Sequence, residues 1–171
     1  EWEAHPSRSA APFFCRNRLQ CPGVVVRRAF YERTGGFLPQ LVHTADWEMW
    51  ARAFAQQGGV MTPDVLALYR VYAGNDTGRL RRSAGNLVDE ERLASLLATR
   101  HPEFDLAEAQ MRIFAQSCTQ EDFFRALGDS EAAAANRAFQ RTRRTWGNLR
   151  YRVGRTARGI LQRVRSRWPF N

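Results

Sequence analysis

The residues best suited to chemistry lie in Thr44-Ala45-Asp46-Trp47-Glu48-Met49-Trp50-Ala51-Arg52, where a carboxylate, two indoles and a guanidinium sit close together. Asp46 falls in the first turn of the helix that this stretch predicts, where the helix dipole favours the ionised carboxylate. Such a group can accept a proton from a sugar hydroxyl. It can equally do no more than stabilise the helix end. Indole rings stack on sugars and a guanidinium pairs with phosphate, so Trp47 and Arg52 suit a pocket for such a group. Trp50 reads both as a pocket residue and as core. Glu48 points off the apolar stripe and reads as solvated. Two further groups flank this segment: a Gly35-Gly36-Phe37 corner before it and Arg70-Val71-Tyr72 after it. Arg70 by itself suits an ion pair at a strand end.

The elements that would position these groups follow from local pattern. Residues 1–21 read as an entering loop broken by Pro6 and Pro12. Gly23–Arg28, centred on Val24-Val25-Val26, predicts a buried strand. Ala29–Thr34 predicts a short helix that Gly35 or Gly36 stops. Thr44 is the expected N-cap of a helix over Ala45–Gln57, in which Trp47, Trp50, Ala51 and Phe54 form one buried stripe. Val65–Tyr72 predicts a second strand, followed by a turn at Ala73-Gly74-Asn75-Asp76. Asn75-Asp76-Thr77 matches a glycosylation sequon but reads as that turn. Beyond Ser83 the pattern is helical: one helix through Leu87–Leu97, then Leu106–Ser117, Gln120–Leu127 and Ser130–Arg144.

The 171 residues suffice for one domain with an appendage, and 44% apolar content argues for a folded chain. No apolar run reaches the roughly 18 residues that span a bilayer. Three cysteines, without paired-cysteine spacing, argue against zinc and for a reducing compartment. All 26 basic residues are Arg and the net charge is +9. Residues 1–82 carry 11 Arg against 7 acids, 83–131 carry 4 against 10, and 132–171 carry 11 against none. Three charge zones imply three sets of neighbours.

The order of strand, Gly-Gly-Phe corner, Ala-Asp-Trp helix and terminal Arg-x-Tyr resembles the acceptor-side half of a family 2 glycosyltransferase. The resemblance covers about residues 14–80. It implies an α/β fold: the C-terminal part of a GT-A, Rossmann-like catalytic domain over 1–82, then a helical extension over 83–145. It implies transfer of one sugar from a nucleotide-sugar donor to a glycan or lipid-linked acceptor, with inversion, and Asp46 as general base. Gly36, Phe37, Trp47, Trp50 and Arg52 would contact the acceptor, and Arg70 and Tyr72 the diphosphate. Many members carry Glu where this chain has Ala45, and His where it has Tyr72, so no metal role passes to Tyr72. The family's Asp-x-Asp metal pair is missing from these residues. A divalent cation, Mg or Mn, is therefore expected with ligands mostly outside this chain. The chain begins with Glu1 rather than Met, and it is expected to start inside a longer gene product.

Residues 146–171 read as a basic amphipathic helix. Trp146, Leu149, Val153, Ile160, Leu161, Val164 and Trp168 share its apolar face, and arginines surround them. This suits an anionic membrane surface and a cytoplasmic, peripheral location on the inner face of the membrane. Packing of the basic helix on the acidic middle zone is the competing reading, and nucleic acid is not expected. If the transferase reading is set aside, the alternative is a non-catalytic membrane-surface or polyanion-binding module. The isolated 171-residue chain is expected to turn over no nucleotide sugar; release of free nucleotide diphosphate by the purified chain would contradict that.

Overall fold

The computed structural model describes residues 2–4, 14–70, 72, 74–143, 145, 147–149, 151 and 154. In chain order the elements are β1 (Trp2–Ala4), a 3-10 turn (Cys21–Gly23), α1 (Arg28–Thr34), α2 (Ala45–Gln57), β2 (Gly59–Met61), α3 (Asp76–Arg82), α4 (Gly85–Arg100), α5 (Leu106–Ala126) and α6 (Ser130–Arg141). Helices dominate. The expected α/β, Rossmann-like fold is not what forms. Among the described residues the only strand pairing is antiparallel, β1 against β2, with Glu3 opposite Val60.

The two expected strands explain the correction. Gly23–Arg28 divides between the 3-10 turn, four residues without regular structure, and the start of α1. Val24 and Val26 pack on Phe30, Met49 and Trp50, while Val25 is 99% exposed. In the Val65–Tyr72 stretch every described residue is exposed, with Val65 at 87% and Leu68 at 88%. β-propensity describes fit to a pleated, half-buried surface. Without a neighbouring strand there is no ladder to supply that surface, so neither apolar run becomes a strand.

Local signals for helices fare better. Gly35 at φ 83° and Gly58 at φ 69° end α1 and α2 in a backbone region that side chains disfavour. Asn75 Oδ1 accepts the Gly78 N–H at 2.7 Å, so the sequon residue caps α3, a helix that sequence pattern missed. The two helices expected at Leu106–Ser117 and Gln120–Leu127 are one, α5. Ser117 and Thr119 point their hydroxyls back to the Phe114 and Ala115 carbonyls and leave the ladder unbroken. Helix α6 stops at Arg141 rather than Arg144.

The core joins the two halves of the chain. Phe14, Leu41, Ala51 and Phe54 pack on Leu93 and Leu97 of α4. Leu87 and Ala94 of α4 pack on Ala109 and Ile113 of α5 and Phe139 of α6. Glu48, expected in solvent, is 1% exposed. Arg52 Nε lies 3.0 Å from its carboxylate, and Arg100 Nη1 reaches it from α4 at 2.8 Å. Arg52 also donates to the carbonyls of Thr34 (2.7 Å), Gly35 (3.2 Å) and Gly36 (2.8 Å). One guanidinium thus satisfies the orphan carbonyls at the end of α1 and neutralises a buried acid on α2. Arg52→Met should cost about 3 kcal/mol, because it leaves a buried carboxylate with one partner. A change in the urea midpoint below a quarter of that equivalent would show that the clamp is dispensable.

Candidate functional site

A cavity of about 540 Å³ opens between α4, α5 and the segments that lead into α2. Its volume suits a small ligand. Leu93, Ala94 and Leu97 of α4, Ala109 and Ile113 of α5, and Phe104 between them make an apolar floor. The polar groups come from three places. Asn17 and Arg16 lie on the segment after Phe14, His43 and Trp47 flank the start of α2, and Glu90, Arg112 and Gln116 project from α4 and α5.

Asp46 stands beside this cavity. Its Oδ2 accepts the Asn17 Nδ2–H at 3.1 Å, and its Oδ1 accepts the Trp47 backbone N–H at 2.7 Å. Asn17 and Trp47 both line the cavity wall. Of the other expected contacts, Trp50 is 3% exposed and buried with Phe30 and Met49. Phe37 lies edge-on to Trp50 at 5.9 Å. Gly36 and Arg52 belong to the clamp at the end of α1. Arg70 and Tyr72 stand at the surface, and none of these residues lines the cavity. On the tail, Trp146, Val153, Ile160, Leu161, Val164 and Trp168 lie outside the described residues, and Leu149 is 52% exposed. Where the tail begins, Asn148 is buried and donates to the Arg143 carbonyl, and Tyr151 meets Phe114 edge-on. Arg143 and Arg137 pair with Glu91 and Glu121, so two of the three described arginines at the start of the basic zone reach the acidic one.

Three acids in a row, Asp89-Glu90-Glu91, were legible only as part of a charged zone, and each has a separate task. Asp89 is 2% exposed. Its carboxylate accepts the backbone N–H groups of Val42 (3.2 Å), His43 (2.8 Å) and Thr44 (2.8 Å), and the Thr44 hydroxyl (2.9 Å). Thr44 occupies the N-cap position of α2, but its side chain makes no cap bond; it donates to Asp89 instead. Burial works to raise the Asp89 carboxyl, and the Thr44, His43 and Val42 bonds outweigh it, holding the group below its ordinary 3.8. Glu90 faces the cavity and accepts from Gln116 Nε2 at 2.8 Å and Asn86 Nδ2 at 3.4 Å. Burial dominates there and pushes its carboxyl above 4.5. Burial also lowers His43 below 6.5, despite the charges of Asp46 and Asp89. His43 is therefore neutral at pH 7. The sequence offers no local signal for these roles, because each depends on a residue more than 25 positions away or on burial.

Among the described residues no three His, Cys, Asp or Glu side chains converge as a metal site, and both Asp89 oxygens already accept hydrogen bonds. The described residues therefore do not form a site for a divalent cation. Among the described residues no helix is long and apolar enough to cross a membrane. Comparisons with protein-family models, curated proteins and solved structures returned no match.

The two neighbouring acids should oppose each other in a pH titration of stability. Asp89 has a lowered folded value, so its contribution is present above 3.8 and is lost as pH falls through the folded value. Glu90 has a raised folded value, so its contribution is present below 4.5 and is lost as pH rises through the folded value. Glu90→Gln is therefore expected to raise Tm at pH 7, with the gain fading toward pH 4. Asp89→Asn is expected to lower Tm at pH 7 and flatten the acid limb of the curve. Parallel pH profiles for wild type and both variants would contradict this assignment.

Proposed function

We propose that this chain supplies the acceptor side of a sugar transfer from a nucleotide-sugar donor, with Asp46 as the base. The observation that carries the reading is the hydrogen bond from Asn17 to Asp46 at 3.1 Å, with Asn17 and Trp47 both lining the cavity. An acceptor sugar stacked on Trp47 would bring a hydroxyl to the Asp46 carboxylate. Asn17 fixes Oδ2 and the Trp47 N–H fixes Oδ1, so the carboxylate is oriented before substrate arrives.

In the transfer, the acceptor hydroxyl gives its proton to Asp46 as its oxygen attacks the anomeric carbon. The bond from that carbon to the diphosphate oxygen breaks, and the nucleotide diphosphate leaves with the electron pair. Attack opposite the leaving group inverts the anomeric centre. In this reading the surface residues Arg70 and Tyr72 meet the diphosphate. Any divalent cation would have to be held by groups outside this chain, since the described residues form no site for one. The neutral imidazole of His43 lines the acceptor side and can share a second sugar hydroxyl. A peripheral position on the inner membrane face, through residues 146–171, belongs to the same reading. It draws support from the seven arginines and no acids of 146–171.

The test is Asp46→Asn in the full-length gene product, assayed against a panel of nucleotide sugars. The expected result is a fall of about 100- to 10,000-fold in kcat with Tm unchanged. Trp47→Ala should raise the acceptor KM and leave the donor KM alone. Undiminished transfer by Asp46→Asn would overturn the base assignment.

A further inference from the structure

The cavity carries a feature that sugar transfer does not use. Glu90 is 9% exposed, yet its two hydrogen-bond donors, Gln116 and Asn86, are neutral amides. Both bonds fall on Oε1, which leaves Oε2 as the oxygen offered to a guest. Every other acid buried among the described residues has stronger compensation. Glu48 has Arg52 and Arg100, Glu121 has Arg125 and Arg137, and Asp89 has three backbone N–H groups and a hydroxyl. Arg16 and Arg112 line the same cavity, but Arg112 pairs with Glu108 at 3.0 Å and neither arginine forms an ion pair with Glu90. The cavity that Glu90 lines is also lined by Ala94, Leu97, Ala109 and Ile113.

We propose that this cavity binds a small apolar amine, whose ammonium group pairs with Glu90 while its hydrocarbon body lies against α4 and α5. The chemistry follows from the wall and the charge together. A buried carboxylate without a cation is costly. A cationic guest supplies the missing charge, and its apolar body gains by leaving water. An anionic guest would meet Glu90 with like charge. A neutral alcohol could donate a hydrogen bond but would leave the buried charge unpaired. Ala94 and Ala109 both line the cavity, and a larger side chain at either position would take up part of its volume. The proposal does not rest on the transferase reading, since it involves neither Asp46 nor Trp47.

Three probes of one shape separate the possibilities: phenethylamine, phenethyl alcohol and 3-phenylpropionate, titrated into the full 171-residue chain by calorimetry at pH 7. Phenethylamine is expected to saturate one site, the alcohol to bind at least tenfold more weakly and the carboxylate not to bind. Glu90→Gln should weaken the amine at least tenfold and leave the alcohol nearly unchanged. Ala94→Phe, which fills the space and keeps the carboxylate, should abolish amine binding with the far-ultraviolet circular dichroism intact. Amine binding that survives Glu90→Gln, equal binding of alcohol and amine, or no saturable binding of the amine would overturn the proposal. If Glu90→Gln fails to fold, undiminished amine binding in folded Ala94→Phe overturns it alone.

Discussion

One carboxylate decides the geometry of the site. Asp89, on α4, receives three backbone N–H groups and a hydroxyl from residues 42–44, which lead into α2. The first N–H groups of a helix have no partner within it. A local Ser, Thr, Asp or Asn usually supplies one. Here an acid 45 positions beyond Thr44 gathers the donors just before the helix. The start of α2 is thereby tied to the side of α4, and with it come His43, Asp46 and Trp47. The cavity exists because these two helices are held together at that point while α5 closes the opposite side.

The other long-range ties use the same materials in different proportions. Glu48 and Glu121 are buried acids met by two arginines each, and Glu91 is met by Arg143 through two parallel bonds of 2.7 and 2.6 Å. For Glu121, burial raises the carboxyl, and the Arg137 and Gln140 hydrogen bonds with the arginine charges bring it below 4.5. A chain whose cations are all Arg suits this architecture. The planar guanidinium of Arg52 serves a carboxylate and three carbonyls at once, which a single ammonium with three donors could not do. Asp89, Glu90, Glu91 and Glu121 of the middle zone therefore hold the fold together, while Glu103, Glu108 and Asp122 stay exposed.

The apolar runs around Val25 and Val65–Tyr69 behave in the opposite way. They hold residues that favour strands, yet neither joins a ladder among the described residues: Val24 and Val26 pack on Phe30 and Trp50, while Val25, Val65, Leu66 and Leu68 are each at least 79% exposed. Strand propensity is conditional on a partner. Helix signals are complete within a few residues, since every backbone bond closes four positions away. The asymmetry explains why an expected α/β arrangement gave way to helices, with a three-residue antiparallel pairing as the sole sheet among the described residues.

Local sequence alone sufficed for α2 from Ala45 to Gln57, its Gly58 stop, the buried side of Trp50, Ala51 and Phe54, and the helical character beyond Ser83. Each follows from periodicity, from a stop residue, or from a backbone angle that glycine tolerates. Asp46 was identifiable as a carboxylate in a first helical turn, but its bond to Asn17, 29 residues earlier, was not. Tertiary structure alone decided that Glu48 is buried, that Thr44 gives its hydroxyl to Asp89, and that Glu90 faces a cavity. A charged side chain carries the same pattern whether it meets water or a distant partner. Only the folded chain brings that partner within reach, and only then does burial turn the charge into a constraint.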